Sequence, residues 1–282
     1  MDTLTREQFA YLTDLLQNKT ADTPEVCRTL TELGYIENGT VSPAGYRALE
    51  PYRVRRAIFV AAGFGSRLVP ITLNTPKPLV RVHGQRIIDG LLDACLAAGI
   101  EEIYLVRGYL AEQFDQLLYK YPMLRFIENP DYTEANNISS AFCARQYFPN
   151  AYVFEADLLL NKPELITPYQ YRSNFLCYYR ELSDDWCFTV EGGRIVTQKI
   201  GGVDCYQEFG ISYWDAESGK KLAEDIDEVY RTPEGKNLFW DQVPLTVRPD
   251  RYAVEVRPCQ KGDILEIDTF EELKAIDETY RN

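Results

Sequence analysis

The residues best suited to chemistry lie between Val60 and Leu79, which read Val60-Ala-Ala-Gly63-Phe-Gly65-Ser-Arg67-Leu-Val-Pro70-Ile-Thr72-Leu-Asn-Thr-Pro76-Lys77-Pro78-Leu79. A glycine-rich loop directly after an apolar strand exposes backbone N–H groups toward an anion. Gly63 and Gly65 let the main chain approach a triphosphate closely, and Arg67 and Lys77 can neutralise its oxygens. The loop is not a Walker A loop, because no Gly-Lys-Ser/Thr follows. It is not a dinucleotide fingerprint either, because Leu68 stands at the third glycine position. The full spacing G-x-G-x-R-x-x-P-x-T-x-x-x-P-K-P carries far more information than a bare G-x-G.

Other chemistries are poorly served. His83 is the one histidine and precedes Gly84 in an expected tight turn, which gives it a structural role. The seven cysteines form no C-x-x-C, so neither a zinc site nor a disulfide framework is expected. A net charge of −13 over 282 residues repels phosphate backbones, which disfavours general nucleic-acid binding. The first twenty residues carry no apolar signal core, and the apolar stretch Ala57 to Phe64 is far short of a membrane span. These features point to a reduced, cytoplasmic protein without a membrane partner. They leave self-association into a homo-oligomer open.

The elements that must hold the loop alternate. Ala57–Ala62, Ile103–Val106, Phe126-Ile127 and Ala151–Phe154 read as strands. Stripes at Ile87–Leu96, Phe114–Leu118 and Ile138–Phe142 read as helices between them. This order predicts an α/β fold with a Rossmann-like, mostly parallel sheet, whose ligands collect at the carboxyl ends of the strands. Strands dominate after Phe175: Phe175–Tyr179, Trp186–Val190, Arg194–Gln198, Cys205–Trp214 and Tyr252–Arg257 suggest an antiparallel acceptor-side subdomain. A helix at about 269–280 closes the chain, with Thr269 and Glu272 as its capping box.

Residues 1–52 read as a separate unit before a domain at 53–282. A capping box at Thr5 and Gln8, an N-cap at Thr23 before Pro24, a hairpin turn at Asn38-Gly39 and a last helix from Ser42-Pro43 suggest a small winged-helix-like unit, one helix short of the usual three. Up to Arg56 it holds seven basic and eight acidic residues, a poor footprint for DNA. A packing or interaction role is the expectation.

The segment 60–79 resembles the signature of the sugar-nucleotide pyrophosphorylase type of nucleotidyltransferase. Further segments resemble its CTP:phosphocholine cytidylyltransferase branch: Gly108-Tyr109-Leu110-Ala-Glu112-Gln-Phe114, Glu128-Asn129-Pro130, Asn136-Asn137-Ile138-Ser139-Ser140, Glu155-Ala156-Asp157, Gly210-Ile211-Ser212-Tyr213-Trp214-Asp215 and Glu266-Ile267-Asp268. Ala156 departs from the glycine that many relatives carry there. The resemblance covers about residues 55–282. It implies that Ala62, Gly63, Gly65, Ser66 and Arg67 hold the CTP phosphates, with Lys77 near the reacting α-phosphorus. It places Tyr109, Asn136, Asn137 and Ser140 near base and ribose, and gives Asp157 and Asp268 to Mg²⁺. Chemistry supports the last pair independently, since Mg²⁺ takes one or two carboxylates plus substrate phosphates and water.

A phosphocholine acceptor presents a quaternary ammonium, which only aromatic faces and carboxylates can recognise. Candidates are Tyr178, Tyr179, Trp186, Tyr213, Trp214, Phe239 and Trp240, with Asp185, Asp215, Glu217 and Asp241 nearby. The pairs Trp214-Asp215 and Trp240-Asp241 are favoured, and Lys199 is a candidate for the acceptor phosphate. The expected reaction is Mg²⁺-dependent transfer of CMP from CTP to phosphocholine, giving CDP-choline and pyrophosphate. Two alternatives stand: the same chemistry on 2-aminoethylphosphonate or a sugar 1-phosphate, and a transcriptional regulator with a nucleotidyltransferase-fold sensor. The intact set Arg67, Lys77, Asp157 and Asp268 speaks against the last.

Overall fold

The structure, a computed structural model, describes residues 3–19 and 23–281. It divides into two compact units: the residues through Val54 with Pro168–Tyr171, and Arg55–Thr167 with Arg172 onward.

In the first unit, α1 (Arg6–Leu16) starts on the expected capping box, with Thr5 Oγ1 accepting from Gln8 N and the Gln8 side chain accepting from Thr5 N. The helix α2 (Pro24–Glu32) opens with proline, but the Thr23 side chain makes no cap hydrogen bond. A hairpin of β1 (Ile36–Glu37) and β2 (Thr40–Val41) leads to α3 (Pro43–Leu49), capped by Ser42. Leu4, Leu12, Leu30, Ile36 and Leu49 form its core together with Tyr169. The return of 168–171 to this unit has no signal in the periodicity, because a four-residue segment has no period to read.

The second unit is built on β3 (Arg56–Val60). A small hairpin, β4 (Arg81–Val82) and β5 (Gln85–Arg86), turns at His83-Gly84, both at positive φ. The His83 N–H donates to Asp277 Oδ2 at 2.6 Å, which fits a structural role. Next come α4 (Ile87–Ala97), β6 (Glu102–Arg107), β7 (Arg125–Glu128), α5 (Ile138–Ala144), β8 (Ala151–Glu155) and β9 (Leu158–Leu160). Strands β10 (Asn174–Glu191) and β11 (Arg194–Trp214) precede α6 (Ala216–Tyr230), β12 (Glu255–Pro258), β13 (Ile264–Glu266) and α7 (Phe270–Ile276). Seven strands form one sheet in the order β10-β12-β11-β8-β3-β6-β7. The run β8-β3-β6-β7 is parallel, and β11 joins it antiparallel, with Ile211 opposite Phe154.

Three elements differ from the sequence reading. The strands expected at 175–179 and 186–190 are one strand, as are those at 194–198 and 205–214, and together they make a single long irregular hairpin. Residues Ala111–Tyr119 form a 3-10 helix rather than an α-helix. Its buried Phe114 and Leu117 stand three apart, the interval at which a 3-10 turn stacks side chains. The α6 helix was not anticipated. Asp215, read as an acceptor residue, is its N-cap, and Leu222, Ile226 and Val229 form the buried stripe behind it.

Candidate active site

The loop after β3 is shaped by Gly65, whose φ of 67° lies in the left-handed region. A Cβ at Gly65 would come 3.1 Å from Lys77 Cβ and 3.3 Å from Thr72 Cγ2, so both conformation and space demand glycine. Thr72 Oγ1 donates back to Gly65 O at 2.9 Å. Tyr109 Oη donates to the carbonyls of Thr72 and Leu73 at 2.8 and 3.1 Å and packs edge-on against Phe64. The glycine loop and the proline-flanked Lys77 are therefore held as one piece.

Two acidic segments approach from the other side, and the register explains how. Strands β9 and β13 pair antiparallel with Leu158 opposite Glu266, which draws Glu155 and Asp157 toward Glu266 and Asp268. Lys77, buried between two prolines, reaches Asp157 Oδ2 at 2.7 Å and Asp268 Oδ1 at 3.1 Å. Arg67 grips Asp268 with both terminal nitrogens, at 2.7 and 3.0 Å. Burial works against the Lys77 charge, but the two carboxylates outweigh it and its pKa moves up, so the ammonium stays protonated. Carboxylate oxygens of Glu155, Asp157 and Glu266 lie within 4.8 Å of one another. Burial first, and then the neighbouring acids, push the Glu155 carboxyl well above the usual range and Glu266 to about 8.

Arg67, Lys77, Glu155, Asp157 and Asp268 line a cavity of about 200 Å³ together with Gly63, Gly65, Asn137 and Phe239, and Glu266 is not among its wall residues. Asp157 Oδ1 is buried and has no hydrogen-bond partner. An all-oxygen donor set with one unsatisfied buried oxygen suits a hard divalent cation such as Mg²⁺. Asp157 would hold it; the oxygens that converge around Asp157 are those of Glu155 and Glu266, whereas Asp268, expected as the second ligand, is not in that group and is engaged by Arg67 and Lys77.

Of the expected nucleotide-side residues, Gly63, Gly65 and Asn137 reach the cavity, whereas Ala62, Ser66, Tyr109, Asn136 and Ser140 do not line it. Tyr109 is spent on the loop carbonyls. Asn136 Nδ2 donates to Asn237 O at 3.2 Å, and the buried Ser140 Oγ accepts from Asn129 Nδ2 at 3.0 Å.

The favoured acceptor pairs need correction. Trp214 is wholly buried, with its indole N–H on Ser212 Oγ, and the Trp240 ring packs in the core against Phe148 and Phe175. Neither offers a face to a ligand. Asp215 accepts from Ser173 and Ser218 as a helix cap, and Asp241 is buried against Gln198. Lys199 is an exposed strand residue opposite Cys187, away from the cavity walls. The aromatic pair at the site is instead Phe239, in the cavity wall, with Trp186 edge-on at 5.9 Å. The sequence reading assigns no role to Glu155 and Glu266. Their signal was the repeated Glu-x-Asp at two strand ends, where alternate residues share a face.

Comparison with known proteins agrees with this architecture. The profile of the nucleotidyl transferase family matches residues 56–162. A 2-aminoethylphosphonate cytidylyltransferase of Lancefieldella rimae is 37% identical over 231 residues, covering 79% of this chain and 92% of that one. A choline-phosphate cytidylyltransferase of Streptococcus pneumoniae is 32% identical, covering 80% of this chain and 99% of its own length. The solved CTP:phosphocholine cytidylyltransferase of Streptococcus pneumoniae superposes with a TM-score of 0.74 at 31% identity, over 80% of this chain and 99% of that one. Among the described residues no helix is long and apolar enough to cross a membrane. With its phosphate loop, paired cations and facing acids in one cavity, and with relatives of this identity matched over nearly their whole length, the chain belongs to the nucleotidyl transferase family, among its cytidylyltransferases.

Proposed function

We propose that the chain transfers the cytidylyl group of CTP to phosphocholine, with formation of CDP-choline and pyrophosphate. The observation that carries this reading is the juxtaposition of opposite recognitions in one cavity. Arg67 and Lys77 would serve an anion, while Glu155, which shares the cavity wall with Phe239, and Glu266 next to Glu155 form no ion pair with any Lys or Arg among the described residues. Half-buried acidic groups crowded together without a basic partner are costly to ionise unless a cation stands beside them. An acceptor with a phosphate at one end and a positive nitrogen at the other satisfies both halves.

The residues divide the work accordingly. The 63–67 loop and Arg67 orient the triphosphate. Lys77 offers its charge to the transferring phosphate, where it counters the negative charge that builds up as an acceptor oxygen attacks the α-phosphorus and the bond to pyrophosphate breaks. Mg²⁺, held by Asp157 and Asp268, would neutralise further phosphate charge. No protein nucleophile is required, because the acceptor phosphate is already anionic. The acidic groups hold the acceptor's nitrogen. A second reading, 2-aminoethylphosphonate as acceptor, is favoured by the 37% identical relative and by a cavity whose aromatic wall among the described residues is Phe239, with Trp186 edge-on to it.

We read the N-terminal unit as an interaction appendage of winged-helix-like character, supported by its near-neutral charge, and the setting as cytoplasmic. The test of the function is pyrophosphate release from CTP, ATP, GTP and UTP against phosphocholine, phosphoethanolamine, 2-aminoethylphosphonate and a sugar 1-phosphate. CTP with phosphocholine should give the highest kcat/KM, and preference for a sugar 1-phosphate would refute the cationic-acceptor reading.

A further inference from the structure

We infer that Asn137 is a positioning residue for the acceptor, one side chain that ties the acidic wall of the cavity to its aromatic wall. The inference rests on the acceptor reading above. Asn137 Oδ1 accepts from the backbone N–H of Trp240 at 2.9 Å, and Asn137 Nδ2 donates to Glu155 Oε1 at 3.3 Å. The amide orientation is dictated by chemistry, because a backbone N–H can only donate, so the oxygen must face Trp240 and the nitrogen must face Glu155. Trp240 N–H belongs to the peptide that joins Phe239 to Trp240. Holding it sets where the Phe239 ring stands in the cavity wall.

The neighbouring residue strengthens the clasp. Asn136 N donates to Lys236 O at 2.8 Å, and Asn136 Nδ2 donates to Asn237 O. The tandem asparagines at the start of α5 thus grip the backbone from Lys236 to Trp240 at three points. Only Asn137 continues to the carboxylate. Glu155 is in turn placed by Gly210 of β11, where a Cβ would fall 2.4 Å from Glu155 Cγ. With its amide oxygen and one amide hydrogen engaged in protein hydrogen bonds, Asn137 is better suited to shaping the acceptor side than to reading the cytosine base.

The test compares wild type, Asn137→Ala, Asn137→Asp, Phe239→Ala and the double variant Asn137→Ala/Phe239→Ala in full-length enzyme. Asn137→Ala should raise the phosphocholine KM about 10-fold, the scale of one lost hydrogen bond to a charged group, with the CTP KM changed less than about twofold. Asn137→Asp keeps the size and the acceptor for Trp240 N–H but loses the Nδ2–H donor that Asn137 offers to Glu155 Oε1. It should hold the wild-type Tm and still raise the acceptor KM. In the Phe239→Ala background, Asn137→Ala should cost less than it does alone. A rise in CTP KM instead would make Asn137 a nucleotide contact and overturn the inference. So would wild-type behaviour of Asn137→Asp, or full additivity with Phe239→Ala. Lack of phosphocholine turnover by the wild type would overturn the acceptor reading and this inference together. Normal wild-type turnover with an unchanged acceptor KM in Asn137→Ala would overturn this inference alone.

Discussion

Lys77 Nζ stands 2.7 Å from Asp157 and 3.1 Å from Asp268, so one buried ammonium bridges two carboxylates that come from different strand ends. Arg67 holds Asp268 from the solvent side. The cations proposed for phosphate and the acids proposed for metal thus neutralise one another within the protein. In the proposed reaction a nucleotide with its divalent ion would exchange these partners rather than create new buried charge, which would keep the desolvation cost low.

Removal of either cation should therefore harm catalysis more than stability. Arg67→Ala and Lys77→Ala are each expected to lower kcat/KM for CTP by at least about 100-fold, the scale of a lost charged transition-state contact. Steady-state pyrophosphate release measures this. Near-normal turnover in both variants would show that neither touches the reacting phosphates.

Asp157→Asn and Asp268→Asn should abolish Mg²⁺-dependent turnover while leaving the circular dichroism spectrum unchanged. EDTA should silence the wild type, and added Mg²⁺ should restore it. Turnover that persists in excess chelator would remove the metal from the scheme.

The phosphate loop was legible because it is local: a strand, two glycines, an arginine and a Pro-Lys-Pro at fixed intervals. The aspartates were legible because each ends an apolar run. The acceptor side was not legible, for a physical reason. Twenty tyrosines and three tryptophans look alike in a sequence, and which ring faces a cavity is decided by strand register and by helix placement. Trp214 follows Tyr213 on β11, and the large indole goes to the core, where its N–H finds Ser212. Asp215 takes its task from α6, whose N-terminus it caps, and that helix has no marker in the sequence reading. Trp186 and Phe239 meet only because the long hairpin brings residues far apart in sequence together.

As the N-cap of α6, Asp215 contributes to stability. Burial alone would raise its pKa, but hydrogen bonds from Ser173 and Ser218 outweigh that and pull it below the usual value. A carboxylate with a depressed folded-state pKa contributes stability that is fully present above the unfolded value, about 3.9, and is lost as pH falls through the folded value. Asp215→Ala should lower stability by about 1 kcal/mol at neutral pH, with the gap to wild type narrowing below about pH 4. Thermal melts across that range check it. The phosphocholine KM should not move, and a selective rise in it would return Asp215 to the acceptor site.

Acceptor choice is set by how a positive nitrogen divides its contacts between carboxylates and rings. A primary ammonium gains most from Glu155 and Glu266, because it can donate to their oxygens, and it gains little from Phe239 and Trp186. A trimethylammonium donates nothing, so it depends on the rings and on unscreened charge. Each cation–π contact contributes about 0.5–2 kcal/mol. Two rings can therefore favour phosphocholine over phosphoethanolamine by about 10-fold or more in kcat/KM. Trp186→Ala and Phe239→Ala should each raise the phosphocholine KM several-fold and leave the KM for 2-aminoethylphosphonate nearly unchanged, so the ratio between acceptors shrinks in both variants. Glu266→Gln should weaken both acceptors, because an amide cannot ionise in response to either positive nitrogen. The deciding measurement is kcat/KM for the three acceptors with CTP across wild type and these variants. Should 2-aminoethylphosphonate win in the wild type and the aromatic variants leave every ratio intact, the rings have no part in selection, and the carboxylates alone choose the substrate.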